Sequence, residues 1–210
     1  MPTQYNRLAG QSIERIAALS DGLFAVAMTL LVLDLRLPAA AAIHSDAALS
    51  RALLGLLPQL GVYLMSFLTL GIFWVGQQTQ LNHLARADRD IAWIHLAFLF
   101  AVTLMPFSTR LMTAFLTYRA ALLIYWANIA LLGGTLFAAW RCATHGGLVH
   151  ADAPAGIGAA VERRILIAQA LYAFGAVLCL FSTYASLGFI VIVQLNYALA
   201  PRWPKRPAAR

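Results

Sequence analysis

Charge is scarce in this chain. Asp, Glu, Lys and Arg together make up 11% of its 210 residues, whereas soluble domains carry about 25%. That shortage excludes an ordinary water-soluble domain. Cysteine is nearly missing: Cys142 and Cys179 stand alone, with no CxxC pair. A disulfide framework is therefore unsupported, and both thiols read as reduced packing residues. The five histidines, His44, His83, His95, His145 and His150, show no HxxxH spacing. His145 and His150 share a loop and read as solvated, so no metal site is expected. No GxxxxGK[ST], GxGxxG or GxSxG motif occurs, so nucleotide, dinucleotide and serine acyl-transfer chemistry lack their usual marks. Asp21 and His95 inside apolar runs, with Gln77 at the edge of one, are the candidate reactive set, and they lack a nucleophile–base spacing. No enzyme and no cofactor are expected. A TVGYG-type carbonyl filter is absent too, so any cation selectivity must arise in another way.

What the chain does have is apolar length. Hydrophobic residues reach 61%, with a mean hydropathy of +0.75. Six apolar runs can be marked, at residues 16–37, 53–76, 91–115, 120–140, 162–182 and 184–200. A spanning helix needs about 20 residues, within a range of about 17–25. The sixth run is short and follows the fifth almost without a loop, which predicts a tight hairpin at Ser182–Thr183. The runs are too continuous for the alternating strands of a barrel. Helices satisfy their own backbone hydrogen bonds in lipid. The expectation is an all-α polytopic membrane protein with six transmembrane helices, forming a single domain over 1–210.

The bases set the orientation. With six spans both termini share a side. That side collects Arg7, Arg15, Arg86, Arg89, Arg141, Arg163, Arg164, Arg202, Lys205, Arg206 and Arg210, which is 11 of the 15 Lys and Arg. The other side has Arg36, Arg51, Arg110 and Arg119. The positive-inside rule then puts both termini in the cytoplasm. The net charge of +7 is explained by this asymmetry, and a nucleic-acid partner is not expected. The loop at 77–90 reads as polar and cytoplasmic, and that at 141–161 as Gly/Ala-rich. The Pro-rich basic tail carries Trp203 as a candidate headgroup anchor. No removable signal peptide is expected, the first span acting as its own signal.

The first run, "RIAALSDGLFAVAMTLLVLDL" from Arg15 to Leu35, places an acid in apolar surroundings. An ionisable group there is expensive and is functional or paired. At about 100° per residue, Leu19, Gly22, Val26, Thr29, Leu30 and Leu33 share one stripe of a helix. Asp21, Ala25, Met28, Val32 and Leu35 fall on an adjacent stripe. Asp21 thus looks towards neighbouring helices. Two roles are open for Arg15, Ser20 and Asp21: a buried network that locks the first helix, or direct participation in transport. The angular placement favours the lock.

The same stretch resembles the first-span signature, Arg-x-x-x-Phe-Ser-Asp, of the potassium channel family called transmembrane protein 175. Arg15, Ser20 and Asp21 match, and Leu19 stands at the Phe. The third span, "HLAFLFAVTLMPFSTRL", resembles that family's third helix with its late Pro-Phe-x-Thr. The second resembles a helix ending in Trp plus His, although Trp74 is followed here by Gln77 and Gln78. The resemblance implies a potassium-selective channel, with one six-helix unit per chain, assembled as a homotetramer in membrane lipid. First helices would line the pore. Val26 falls at the family's hydrophobic constriction, Thr29 at its pore threonine, and Leu30 and Leu33 continue the apolar lining. Permeant K+ would meet rings of Val, Thr and Leu that gate by dewetting. The alternative reading is a secondary or proton-coupled transporter. Against it, no mid-membrane carboxylate series offers a proton relay, and the two halves share no visible repeat.

Overall fold

A computed structural model describes residues 12–36, 43–154 and 156–199. Among the described residues, eight α-helices follow in order: α1 Ile13–Val32, α2 Asp46–Leu54, α3 Leu57–Leu81, α4 Arg89–Thr103, α5 Met105–Ala114, α6 Arg119–His145, α7 Ile157–Val177 and α8 Thr183–Leu199. Helices α4 and α5 join into one apolar span, Arg89–Ala114. Among the described residues, five helical stretches are long and apolar enough to cross a membrane, and α8 is a shorter apolar sixth. The chain is an all-α, multi-pass membrane protein. Among the described residues, extended pairing is limited to one antiparallel bridge, Leu84 with Val149.

Local signals set the helix ends. The side chains of Ser12, Ser45 and Asp88 accept hydrogen bonds from the backbone N–H groups of Arg15, Ala48 and Ile91, satisfying donors that a first turn leaves orphaned. Pro58 sits in the first turn of α3, where its missing N–H costs nothing. The turn after α7 is tight, as expected: a 3-10 turn at Leu178–Leu180 leads to α8 at Thr183. A side chain at Gly175 would put its Cβ 2.9 Å from Ile190 Cγ1. Its absence lets α7 and α8 approach closely, and the Ser186 hydroxyl donates to the Gly175 carbonyl at 2.5 Å.

Several boundaries differ from the sequence reading. The short helix α2 precedes the second span and was not expected. Helix α3 runs on to Leu81, so Gln77, Gln78 and Gln80 are helical and not loop residues. Helix α6 continues to His145, and α7 begins at Ile157, which shortens the expected 141–161 loop. Polar residues end a hydropathy run but not a helix that packs its polar face inward. The basic tail with Trp203, Arg7, and the end of the first run at 37 lie outside the described residues.

The third span breaks at Leu104, because Pro106 supplies no N–H to the carbonyl of Val102. A buried side chain from another helix repairs the break. With its amide turned so that oxygen and nitrogen both find partners, Asn128 of α6 donates to the Ala101 carbonyl at 3.0 Å and accepts from the Met105 N–H at 3.2 Å and the Ser108 hydroxyl at 3.1 Å. Apolar packing fills the rest of the core: Phe24 of α1 meets Phe98 of α4, centroids 5.9 Å apart, and Phe98 meets Phe73 of α3 at 6.4 Å.

Lipid tails are as apolar as Leu, so helices associate through packing and hydrogen bonds. This core supplies both. Thr109 donates to Ser66 at 2.7 Å, Tyr125 lies 3.1 Å from Thr69, and Gln194 donates to Thr69 at 2.6 Å. The chain of hydroxyls ties α3, α5, α6 and α8 together. Each such bond contributes about 0.6 kcal/mol on average, so together they fix geometry more than they add stability. At the end of the bundle where α1 begins, the loops after α3 and α6 pair through Ala85 N–H to Leu148 O at 2.8 Å and His150 N–H to His83 O at 2.9 Å.

Candidate functional site

Helix α1 has two unlike faces. Ser20, Phe24, Ala27 and Leu31 are buried, at spacings of four, three and four, and form the face packed on α3 and α4. Val26, Leu30 and Leu33 are 54%, 43% and 72% exposed, and Thr29 is exposed beside them. The stripe marked in the sequence therefore lies on the face this chain leaves uncovered, together with Ala25 and Val32 of the adjacent stripe. Thr29 directs its hydroxyl hydrogen to its own helix, with Oγ1 at 2.8 Å from the Val26 carbonyl and 3.0 Å from that of Ala25. The hydroxyl oxygen retains acceptor capacity.

The polar residues near the start of α1 are held by α3. Ser20 donates to the Ile16 carbonyl at 2.7 Å and accepts from Gln77 Nε2 at 2.8 Å. Asp21 Oδ1 accepts from the Trp74 indole N–H at 2.8 Å and from Gln78 Nε2 at 2.9 Å. Three α3 side chains thus serve two neighbours on α1. Their spacing, i, i+3 and i+4, places Trp74, Gln77 and Gln78 on one helical face, a pattern that is visible in the sequence.

Arg15 does not join this set within the chain. Asp21 is six positions on from Arg15, so the two lie about 120° apart around a helix of 3.6 residues per turn. Arg15 is exposed, and among the described residues no ion pair joins it to Asp21. The expected trio is therefore a pair, Ser20 and Asp21, whose partners come from α3. Asp21 itself is exposed at the helix surface and not buried as expected. It is held by two N–H donors and not by a cation, which is how a carboxylate keeps partners without an ion pair.

At the far end of α1 a second polar group forms. Arg110 of α5 lies 3.8 Å from Asp34, and with Arg36 and Gln59 they line a cavity of about 310 Å³. No cluster of three or more His, Cys, Asp or Glu side chains able to hold a metal occurs among the described residues.

These features define a polytopic helical membrane protein whose first helix is fastened on one face and bare on the other. The family model described as "Endosomal/lysosomal potassium channel TMEM175" matches residues 15–106, which spans the fastened helix and its partners. A potassium channel of Chamaesiphon minutus is 30% identical over 190 residues, covering 88% of this chain and 93% of the relative. This chain belongs to the TMEM175 family. A potassium channel of Streptomyces collinus is 36% identical over 102 residues, covering 49% of this chain and 48% of that one. The chain thus matches about half the length of the Streptomyces relative. Among solved structures, the Chamaesiphon minutus homologue of TMEM175, described as a lysosomal potassium-selective channel, superposes with a TM-score of 0.78 at 26% identity. That match covers 90% of this chain and 97% of the other.

Proposed function

We propose that this protein is a potassium-selective channel, with no enzymatic activity, assembled as a homotetramer around a pore lined by α1 of each subunit. The observation that carries this reading is the uncovered stripe of Val26, Thr29, Leu30 and Leu33, on a helix whose opposite face is bonded to α3. A helix fixed from one side can hold four copies of its free face at a constant distance from an axis. Rings of Val26, Leu30 and Leu33 give an apolar path that conducts only when wetted. K+ sheds its water more cheaply than Na+, so a narrow path with Thr29 oxygens favours K+. The 11 to 4 split of basic residues supports both termini lying in the cytoplasm, following the positive-inside rule.

The deciding experiment is cation flux into liposomes containing the purified protein, with single-channel recording in parallel. Ohmic unitary K+ currents, larger than Na+ or H+ currents under matched gradients, are expected. Saturable, proton-coupled flux without unitary events would instead identify a carrier.

A further inference from the structure

We propose that the groove between α3, α7 and α8 is a binding site for an anionic phospholipid, with Arg164 taking the headgroup phosphate. A cavity of about 480 Å³ opens along α3, and a smaller one of about 80 Å³ reaches inward between α3, α6 and α7. The two share Ile72, Val75, Arg164 and Tyr197 in their walls. Among the described residues, no carboxylate lines either one. The Arg164 guanidinium carbon stands 5.7 Å from the Tyr197 ring centroid, a cation–π contact that fixes the charge at the groove. Glu162, the acid near it on α7, is engaged by Arg141 at 3.7 Å. Among the described residues no ion pair involves Arg164.

Depth matches the shape of a lipid. Arg164 is seven residues into α7, about 10 Å from the helix start at a rise of 1.5 Å per residue. Val75 is six residues from the end of α3 on that same side, about 9 Å deep, and Phe67 is about 21 Å deep. The charge therefore lies at the shallow end, and the apolar wall of Phe67, Leu68 and Ile72 continues below it. A phosphate above an acyl chain has this layout, and basic pockets between spanning helices favour anionic headgroups. A free phosphate would leave the apolar length of the groove unused. A second copy of this chain would have to bring a carboxylate to Arg164.

The test needs binding and no current, so it is independent of the permeation reading. Purified protein is titrated with phosphatidylglycerol and phosphatidylcholine, and bound lipid is counted by native mass spectrometry. The wild type should prefer phosphatidylglycerol by about fivefold, the worth of one basic side chain near a membrane surface. Arg164→Gln should lose that preference with an unchanged Tm, while Arg163→Gln keeps it. Equal binding of the two lipids by the wild type overturns the proposal. So does an equal loss in both variants, which would mean a diffuse basic surface. Occupancy is checked with a bimane label on Leu68→Cys, in a Cys142→Ser background. Brominated phosphatidylglycerol should quench it. Absence of quenching overturns the proposal in favour of a groove covered by a neighbouring subunit.

Discussion

The indole N–H of Trp74 lies 2.8 Å from the carboxylate of Asp21, and Gln78 reaches the same oxygen at 2.9 Å. Asp21 is thereby a strut between α1 and α3. Its direction is sideways from the Val26 and Leu30 stripe, so structure and permeation can be perturbed separately. The first prediction follows. Asp21→Ala removes two hydrogen bonds to a charged acceptor, each worth about 1.5–3 kcal/mol, with exposure pulling the total towards the low end. Tm in detergent and tetramer yield should both fall. Asp21→Asn keeps an acceptor and should lose less. Should Asp21→Asn melt like the wild type yet change the K+/Na+ ratio, Asp21 faces the permeation path.

Val26 tests the constriction. If its ring excludes water from the pore, Val26→Ala should raise conductance and Val26→Trp should abolish it. The side chain is 54% exposed within one subunit, so neither change disturbs the subunit core. Equal currents at matched expression in all three proteins would remove Val26 from the pore.

Thr29 tests selectivity. Its hydrogen is committed to backbone carbonyls, which leaves the oxygen for an ion. Thr29→Val keeps the shape and deletes the oxygen. The K+/Na+ permeability ratio, from bi-ionic reversal potentials, should fall. An unchanged ratio would assign selectivity to ring diameter alone.

Asn128 tests the repaired break at Leu104. Asn128→Leu strands the Ala101 carbonyl and Met105 N–H in the core, and an unsatisfied buried polar group costs about 1–3 kcal/mol. Tm should drop well below that of surface variants. Pro106→Ala removes the ring that bends the span, which lets the Met105 N–H return to its own i−4 partner, the Ala101 carbonyl, and should recover part of that loss. A double-mutant cycle with purely additive Tm changes would show that Asn128 and Pro106 are uncoupled.

The helical spans were legible because their signal is local. A run near 20 apolar residues must cross a bilayer as a helix whatever its neighbours are, and basic residues at its ends orient it. The helix breaks were less legible. Pro106 announces a weakness in the third run, but only a buried amide from α6 decides how the chain tolerates it. Helix α2 escaped notice because nine residues of mixed polarity leave no run to mark.

The stripe of α1 could be drawn from the sequence alone, since 3.6 residues per turn fixes which side chains share a face. The partners of the opposite face could not. Arg15 and Asp21 are near in sequence, which groups them, yet helical geometry turns them about 120° apart. Asp21 is instead held from 53 and 57 residues away, by Trp74 and Gln78. Periodicity determines where a side chain points, because it is a property of one helix. What it meets there depends on how α1 and α3 are docked, and only the tertiary structure decides that.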